Sequence, residues 1–136
     1  MSTEQIKALM HRFLEASVAS DEATFKEFLA PDFVAHIPGG PQNREMFLQH
    51  NNVFNVAFSD RHISVEDLIV EGDKVVARIT WSGIHSGNFQ GLPPTGKQVK
   101  ISAFIVERIK DGQAVEHRSL FDQKSMMQQL GLIPPP

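Results

Sequence analysis

The hydrophobic period of this 136-residue chain changes once, at Arg61. Before that point apolar side chains recur at spacings of three and four, and after it they alternate, so helices come first and antiparallel strands follow. Ile6, Leu9, Met10, Phe13 and Leu14 mark one helical face behind Ser2, with Gln5 three residues on in a capping-box pattern. Ser20 or Asp21 can cap a short second helix with Phe25, Phe28 and Leu29 on one face. Pro31 stops it, because the residue before proline avoids helical angles. Residues 32 to 37 read as a short strand and Pro38-Gly39-Gly40-Pro41 as a turn. Asn43 can cap a third helix carrying Met46, Phe47, His50, Val53, Phe54 and Ala57.

In the alternating half, Ile63 and Val65 are followed one residue out of phase by Leu68 and Val70, which predicts a bulge near Glu66-Asp67. Glu71-Gly72-Asp73-Lys74 is a hairpin turn. The next strand carries Val75, Ala77, Ile79, Trp81 and His85 on one face, and the one after it Val99, Ile101, Ala103 and Ile105. Lys110-Asp111-Gly112-Gln113 is the clearest hairpin signal, leading into a strand over residues 114 to 121. Whether that loop holds two residues or three decides which face His117 occupies. Asp122 or Ser125 can cap a final helix with Met126, Met127 and Leu130, closed by Gly131 with Pro134 beyond. The plan is α+β: three helices in the N-terminal half packed on a strongly bent, mainly antiparallel sheet, with a short C-terminal helix. Such a sheet leaves a cone, apolar at its base and open at its mouth, which is where a small molecule would bind.

Length predicts one domain over residues 1–136. A net charge of −3 lacks the basic excess that nucleic acid or an anionic membrane demands. With no Cys there is no disulfide, no zinc–thiolate site and no thiolate nucleophile, and with no Tyr there is no phenol chemistry. Charged residues interrupt the first twenty positions and no apolar run nears 18 residues, so the expectation is a cytoplasmic protein without a membrane span. His11, His36, His50, His62, His85 and His117 show no metal-ligand spacing. Gly83, Gly87 and Gly91 do not open a helix as a phosphate loop would, so neither metal nor nucleotide cofactor is expected.

Two motif blocks carry a resemblance. The first is Trp81-Ser82-Gly83-Ile84-His85 continuing through Phe89-Gln90-Gly91-Leu92-Pro93-Pro94-Thr95-Gly96-Lys97. The second is Asp111-Gly112-Gln113-Ala114-Val115-Glu116-His117-Arg118 with Asp122 and Gln129-Leu130-Gly131. Together with Pro31-Asp32-Phe33-Val34 and His36, they resemble the SnoaL-like polyketide cyclases, also called ester cyclases. The resemblance implies a nuclear-transport-factor-2-like cone that forms a homodimer through the outer face of its sheet. It also implies aldol chemistry in which an Asp moves protons while His, Gln and Asn side chains hold the enolate. In that family the acid–base Asp follows the His-Arg pair directly, whereas here Ser119 follows His117-Arg118. Ala103 and Ile105 stand at its polar pair and Ala35 at its first-strand Asn, while His85 is retained.

Two readings of function result. In the first, the chain is a cofactor-independent cyclase, isomerase or lyase for an enolisable carbonyl compound. Asp122 is then the base, unless it is only the cap of the last helix, and His85 the carbonyl donor, unless it is only bonded to loop backbone. Trp81, Phe89, Phe104 and Phe121 would stack on a small hydrophobic or aromatic carbonyl ligand, with His36, His117 and Ser119 as further wall residues. In the second, the chain is a non-catalytic binding protein that kept the pocket and lost the acid–base Asp.

Overall fold

Ser2 and Gln5 close the capping box that their spacing predicts: the Ser2 hydroxyl accepts from the Gln5 amide at 3.1 Å and the Gln5 side chain accepts from the Ser2 amide at 2.8 Å. They open α1 (Thr3–Val18), in a computed structural model that describes residues 1–136. After it come α2 (Glu22–Glu27), β1 (Leu29–Ile37), β2 (Gly40–Asn43), α3 (Arg44–Ala57), β3 (Phe58–Glu71), β4 (Lys74–His85), β5 (Gln98–Lys110), β6 (Gln113–Phe121) and α4 (Gln123–Gln129). The six strands form one sheet in the order β2-β1-β6-β5-β4-β3, antiparallel except for the β1–β6 pair. No helix is long and apolar enough to cross a membrane.

Three boundaries differ from the sequence reading. Pro31 acts two residues earlier than expected, so α2 ends at Glu27, and Leu29 and Ala30 are already extended and buried in β1. There the Ala114 amide bonds the Phe28 carbonyl at 2.7 Å, starting the parallel pairing with β6. The Pro38-Gly39-Gly40-Pro41 turn also starts a short strand, β2, paired back onto β1. Strand β3 begins at Phe58, three residues before the change of period, with Asp60 at φ +50 where the register first shifts. The second shift falls between Val65 and Asp67, where the change of phase predicts it.

The Asp111-Gly112 loop holds two residues, both at positive φ, as a hairpin turn of this type requires. An irregularity follows between Arg108 and Ile109. The resulting register sets His117 opposite Glu107, both pointing into the cone. Phe13, Phe25, Phe33 and Phe47 pack with Leu29, Val75 and Ala77 in the main core. A smaller cluster of Phe58, Val99, Ile101, Met126 and Leu130 sits under α4. The cavity described below takes its walls from both.

Candidate active site

The cone encloses a cavity of about 680 Å³, lined mostly by apolar side chains. Phe54 stands at the centre of one wall, its ring 5.2 Å from Phe89, 6.1 Å from Phe121 and 6.2 Å from Trp81. Phe89 and Leu92 reach the cavity because the segment after β4 folds back on itself through paired hydrogen bonds of 3.0 and 2.8 Å between them. That fold-back depends on Gly87, whose amide bonds the Ala57 carbonyl at 2.9 Å. A Cβ there would lie 2.5 Å from the Val56 carbonyl oxygen.

Against this apolar background, one polar chain reaches the wall. His117 and Ser119 are two apart on β6 and so share its inner face. The imidazole Nε2 lies 2.9 Å from the Ser119 Oγ, and Nδ1 is hydrogen-bonded to Glu107 Oε1 across the strand pair. Phe47, Phe33 and Phe13 surround the ring at centroid distances of 4.7, 6.3 and 6.4 Å. Glu107 has no solvent exposure and its second oxygen has no partner. Burial pushes its carboxyl up from the ordinary value, and the charge and hydrogen bond of His117 pull only partly back. His117 and Ser119 line the cavity, so the chain of hydrogen bonds runs from a dry carboxyl to a hydroxyl at the ligand space.

A second imidazole, that of His50 on α3, lines the same cavity. Burial, and then the neighbouring charge of His117, push its pKa down, which keeps it neutral at pH 7. The walls therefore carry two imidazoles in contrasting surroundings, one gripped by a carboxyl and one held uncharged.

Of the residues singled out from sequence, Trp81, Phe89, His117, Ser119 and Phe121 line the cavity; His36, His85, Phe104 and Asp122 do not. Asp122 is exposed, and its carboxylate accepts the Ser125 amide at 3.0 Å as the N-cap of α4, so the capping alternative describes its position. His85 is completely buried, with Nδ1 bonded to the Thr95 hydroxyl and amide at 2.9 and 3.2 Å. It anchors the segment between β4 and β5 from beneath. Phe104 points outward and is 55% exposed, because residues 103 and 105 take the inner positions of β5. His36 lies outward opposite Arg118, with buried Ala35 taking the inner position. Sequence reading passed over two groups of the site, one on the wall and one behind it. Glu107 continues the inward series Val99, Ile101, Ala103, Ile105, so a carboxyl in an apolar phase was the available signal. His50 was read only as marking a helix face. No three His, Cys, Asp or Glu side chains are grouped to hold a metal ion.

Residues 8–130 match the family model described as SnoaL-like polyketide cyclase. The aklanonic acid methyl ester cyclase DnrD of Streptomyces peucetius is 31% identical over 131 residues, covering 90% of this chain and 88% of the relative. DauD of Streptomyces sp. strain C5, with the same activity in its name, is also 31% identical over 131 residues, covering 90% of this chain and 80% of the relative. Among solved structures, AclR from Streptomyces galilaeus, a candidate hydroxylase, superposes with a TM-score of 0.92 at 27% identity, covering 99% of this chain and 86% of AclR. IdmH from Streptomyces antibioticus, a candidate polyketide cyclase, gives 0.83 at 32% identity, covering 92% of this chain and 97% of IdmH.

Proposed function

This chain belongs to the SnoaL-like polyketide cyclase family, and on that premise we propose that it is a cofactor-independent acid–base catalyst of the cyclase, isomerase or lyase type, acting on an enolisable carbonyl compound. The observation that carries the reading is the His117 imidazole held at both nitrogens, by Glu107 and by Ser119, on the wall of an apolar cavity. Removal of a proton from carbon needs a neutral base near the substrate and a donor for the oxygen that becomes the enolate. His50 supplies the first. Ser119, backed by His117 and Glu107, supplies the second: its hydroxyl can give a hydrogen bond to the carbonyl oxygen while the imidazole behind it holds the hydroxyl in place. Asp122 and His85 are not assigned these roles, because neither meets the cavity.

The curated relatives are named as cyclases of aklanonic acid methyl ester, and we take the substrate here to be an ester of a polyketide acid. Phe54, Trp81, Phe89 and Phe121 would hold its flat apolar part. We also infer a homodimer through the outer sheet face, where Phe104 and Leu120 are paired neighbours at 55% and 67% exposure and Ile69 is 62% exposed.

The test is deuterium exchange at the acidic carbon of a bound β-keto ester. Wild type is expected to exchange, with His50→Gln and His117→Gln each slower by about 100-fold or more. The apolar Ala103 and Ile105 in the wall favour a second reading, a binding protein without turnover. Ligand binding with no exchange above the buffer rate would establish that reading and end the first.

A further inference from the structure

We propose a second activity for this cavity: Ser119 is a nucleophile that accepts an acyl group, so the protein cleaves the ester or lactone bond of an apolar ligand through a covalent acyl-serine. The proposal rests on the same cavity, His117 and Ser119 as the function above but gives the serine oxygen a different role, that of attacking atom in place of hydrogen-bond donor.

The geometry meets the three requirements of an activated serine. Its Oγ lies 2.9 Å from an imidazole Nε2, and that imidazole is oriented through Nδ1 by a carboxyl group. The three side chains sit on two paired strands, His117 and Ser119 on one face of β6 and Glu107 directly across on β5, so their spacing is fixed by the ladder. Three phenylalanine rings fix the imidazole plane. The order of burial is also right: Glu107 is sealed, His117 is 4% exposed, and the serine meets the cavity. Ser119 sits within a strand instead of opening a helix, so side chains would have to receive the developing oxyanion. His50 and Gln123 line the same space and can donate.

The chemistry balances without a cofactor. The Ser119 oxygen attacks the acyl carbon as its proton passes to His117 Nε2. The tetrahedral intermediate then collapses, breaking the bond to the leaving alcohol, which departs with that proton. Water attacks the acyl-serine, gives one proton to Nε2, and the carboxylic acid leaves as Ser119 recovers the proton. Throughout, Glu107 acts as a positioning residue and stabilises the imidazolium.

The base form requires Glu107 ionised and His117 neutral. His117 is the titratable group that faces Glu107. The carboxyl is otherwise packed by Leu9, Met10 and Phe13 of α1, Phe28, Val75 of β4, Ile109 and Ala114, while His50 faces His117 from α3. Hydrolysis is therefore expected to rise as pH increases through the titration of Glu107.

Full-length protein would be treated with diisopropyl fluorophosphate and measured by intact mass and peptide mapping, with p-nitrophenyl butyrate and octanoate hydrolysis followed in parallel. The expected result is one adduct per chain on Ser119 and hydrolysis that falls at least about 100-fold in Ser119→Ala and in His117→Gln, with Ser119→Ala melting as wild type does. Absence of an adduct, an adduct on another residue, or unchanged hydrolysis in Ser119→Ala would overturn the proposal. Deuterium exchange by the wild-type protein separates the two activities. Normal exchange without an adduct removes only the acyl transfer. An adduct and hydrolysis without exchange removes only the proposed enolising function.

Discussion

Replacing Glu107 and His117 by leucine, singly and together, tests whether this buried pair is kept for chemistry or for stability. The two side chains are 0% and 4% exposed, and the second oxygen of Glu107 has no partner. Glu107→Leu leaves the Nδ1 of His117 unpaired within its ring of phenylalanines, which costs about 1–3 kcal/mol. His117→Leu leaves a buried carboxyl with nothing to bond, and removing one member of such a pair costs about 3–5 kcal/mol. Both changes together remove the polar burden while keeping apolar volume, and the double variant is expected to match wild type or exceed it by about 1–4 kcal/mol. The coupling between the sites is then at least about 4 kcal/mol, against about 0.5 kcal/mol of scatter for independent positions. Urea unfolding followed by far-ultraviolet circular dichroism at pH 7 measures all four corners of the cycle. The weaker single variant should also melt roughly 10 °C lower. A double variant as unstable as the two singles combined would refute the reasoning, because it would show that neither group depends on the other. If the reasoning holds, the most stable corner should also lack proton exchange, as should the His117→Leu single variant.

Three further outcomes follow from named contacts. Burial raises the Glu107 carboxyl, so the folded protein keeps that proton to higher pH than the unfolded chain. Its contribution to stability is complete below the unfolded value of 4.5 and is lost as pH rises through the folded one, and a pH series of unfolding midpoints should show this decline in wild type and not in Glu107→Gln. Asp122→Ala should cost about 1 kcal/mol in chemical denaturation through the lost N-cap of α4, with deuterium exchange unchanged; slowed exchange would return Asp122 to the chemistry. Phe104→Asp combined with Leu120→Asp should convert a dimer to a monomer in sedimentation equilibrium, with the melting temperature held.

Most of the architecture was legible because it rests on local signals. The capping box at Ser2, the Asn43 cap, the phase change at Glu66-Asp67 and the Asp111-Gly112 turn each act within a few residues, and each is present. The site was less legible because its residues meet only through the register of β5 and β6, which a one-residue uncertainty in the loop left open. The two-residue turn alone would set Glu116 opposite Glu107; the irregularity between Arg108 and Ile109 shifts β6 by one residue, and that shift turns His117 inward to meet Glu107. The short strand β2 was hidden by its glycine and proline, which signal a turn more strongly than a strand. Phe104 was misjudged for a related reason: an aromatic residue on a strand reads as core, yet alternation between buried Ala103 and Ile105 turns it outward.

Where the sequence resemblance implies an acid–base aspartate, Ser119 stands, and a carboxyl is still connected to it. The hydrogen bonds trace a route from the Ser119 hydroxyl through both nitrogens of His117 to Glu107, so a carboxyl still stands behind the cavity wall, two residues removed and fully buried. This arrangement changes what a ligand meets. An aspartate at the wall presents a charge and its water, whereas a serine presents a neutral hydroxyl that an apolar ester can approach without displacing tightly held solvent. The carboxyl can act only through the imidazole, so its influence on the substrate is a question of where one proton sits along a three-residue chain. That makes Glu107→Gln the informative change at this site. It keeps the shape and an acceptor for Nδ1, removes the titrating group, and should leave ligand affinity intact while slowing every step in which His117 must gain or lose a proton.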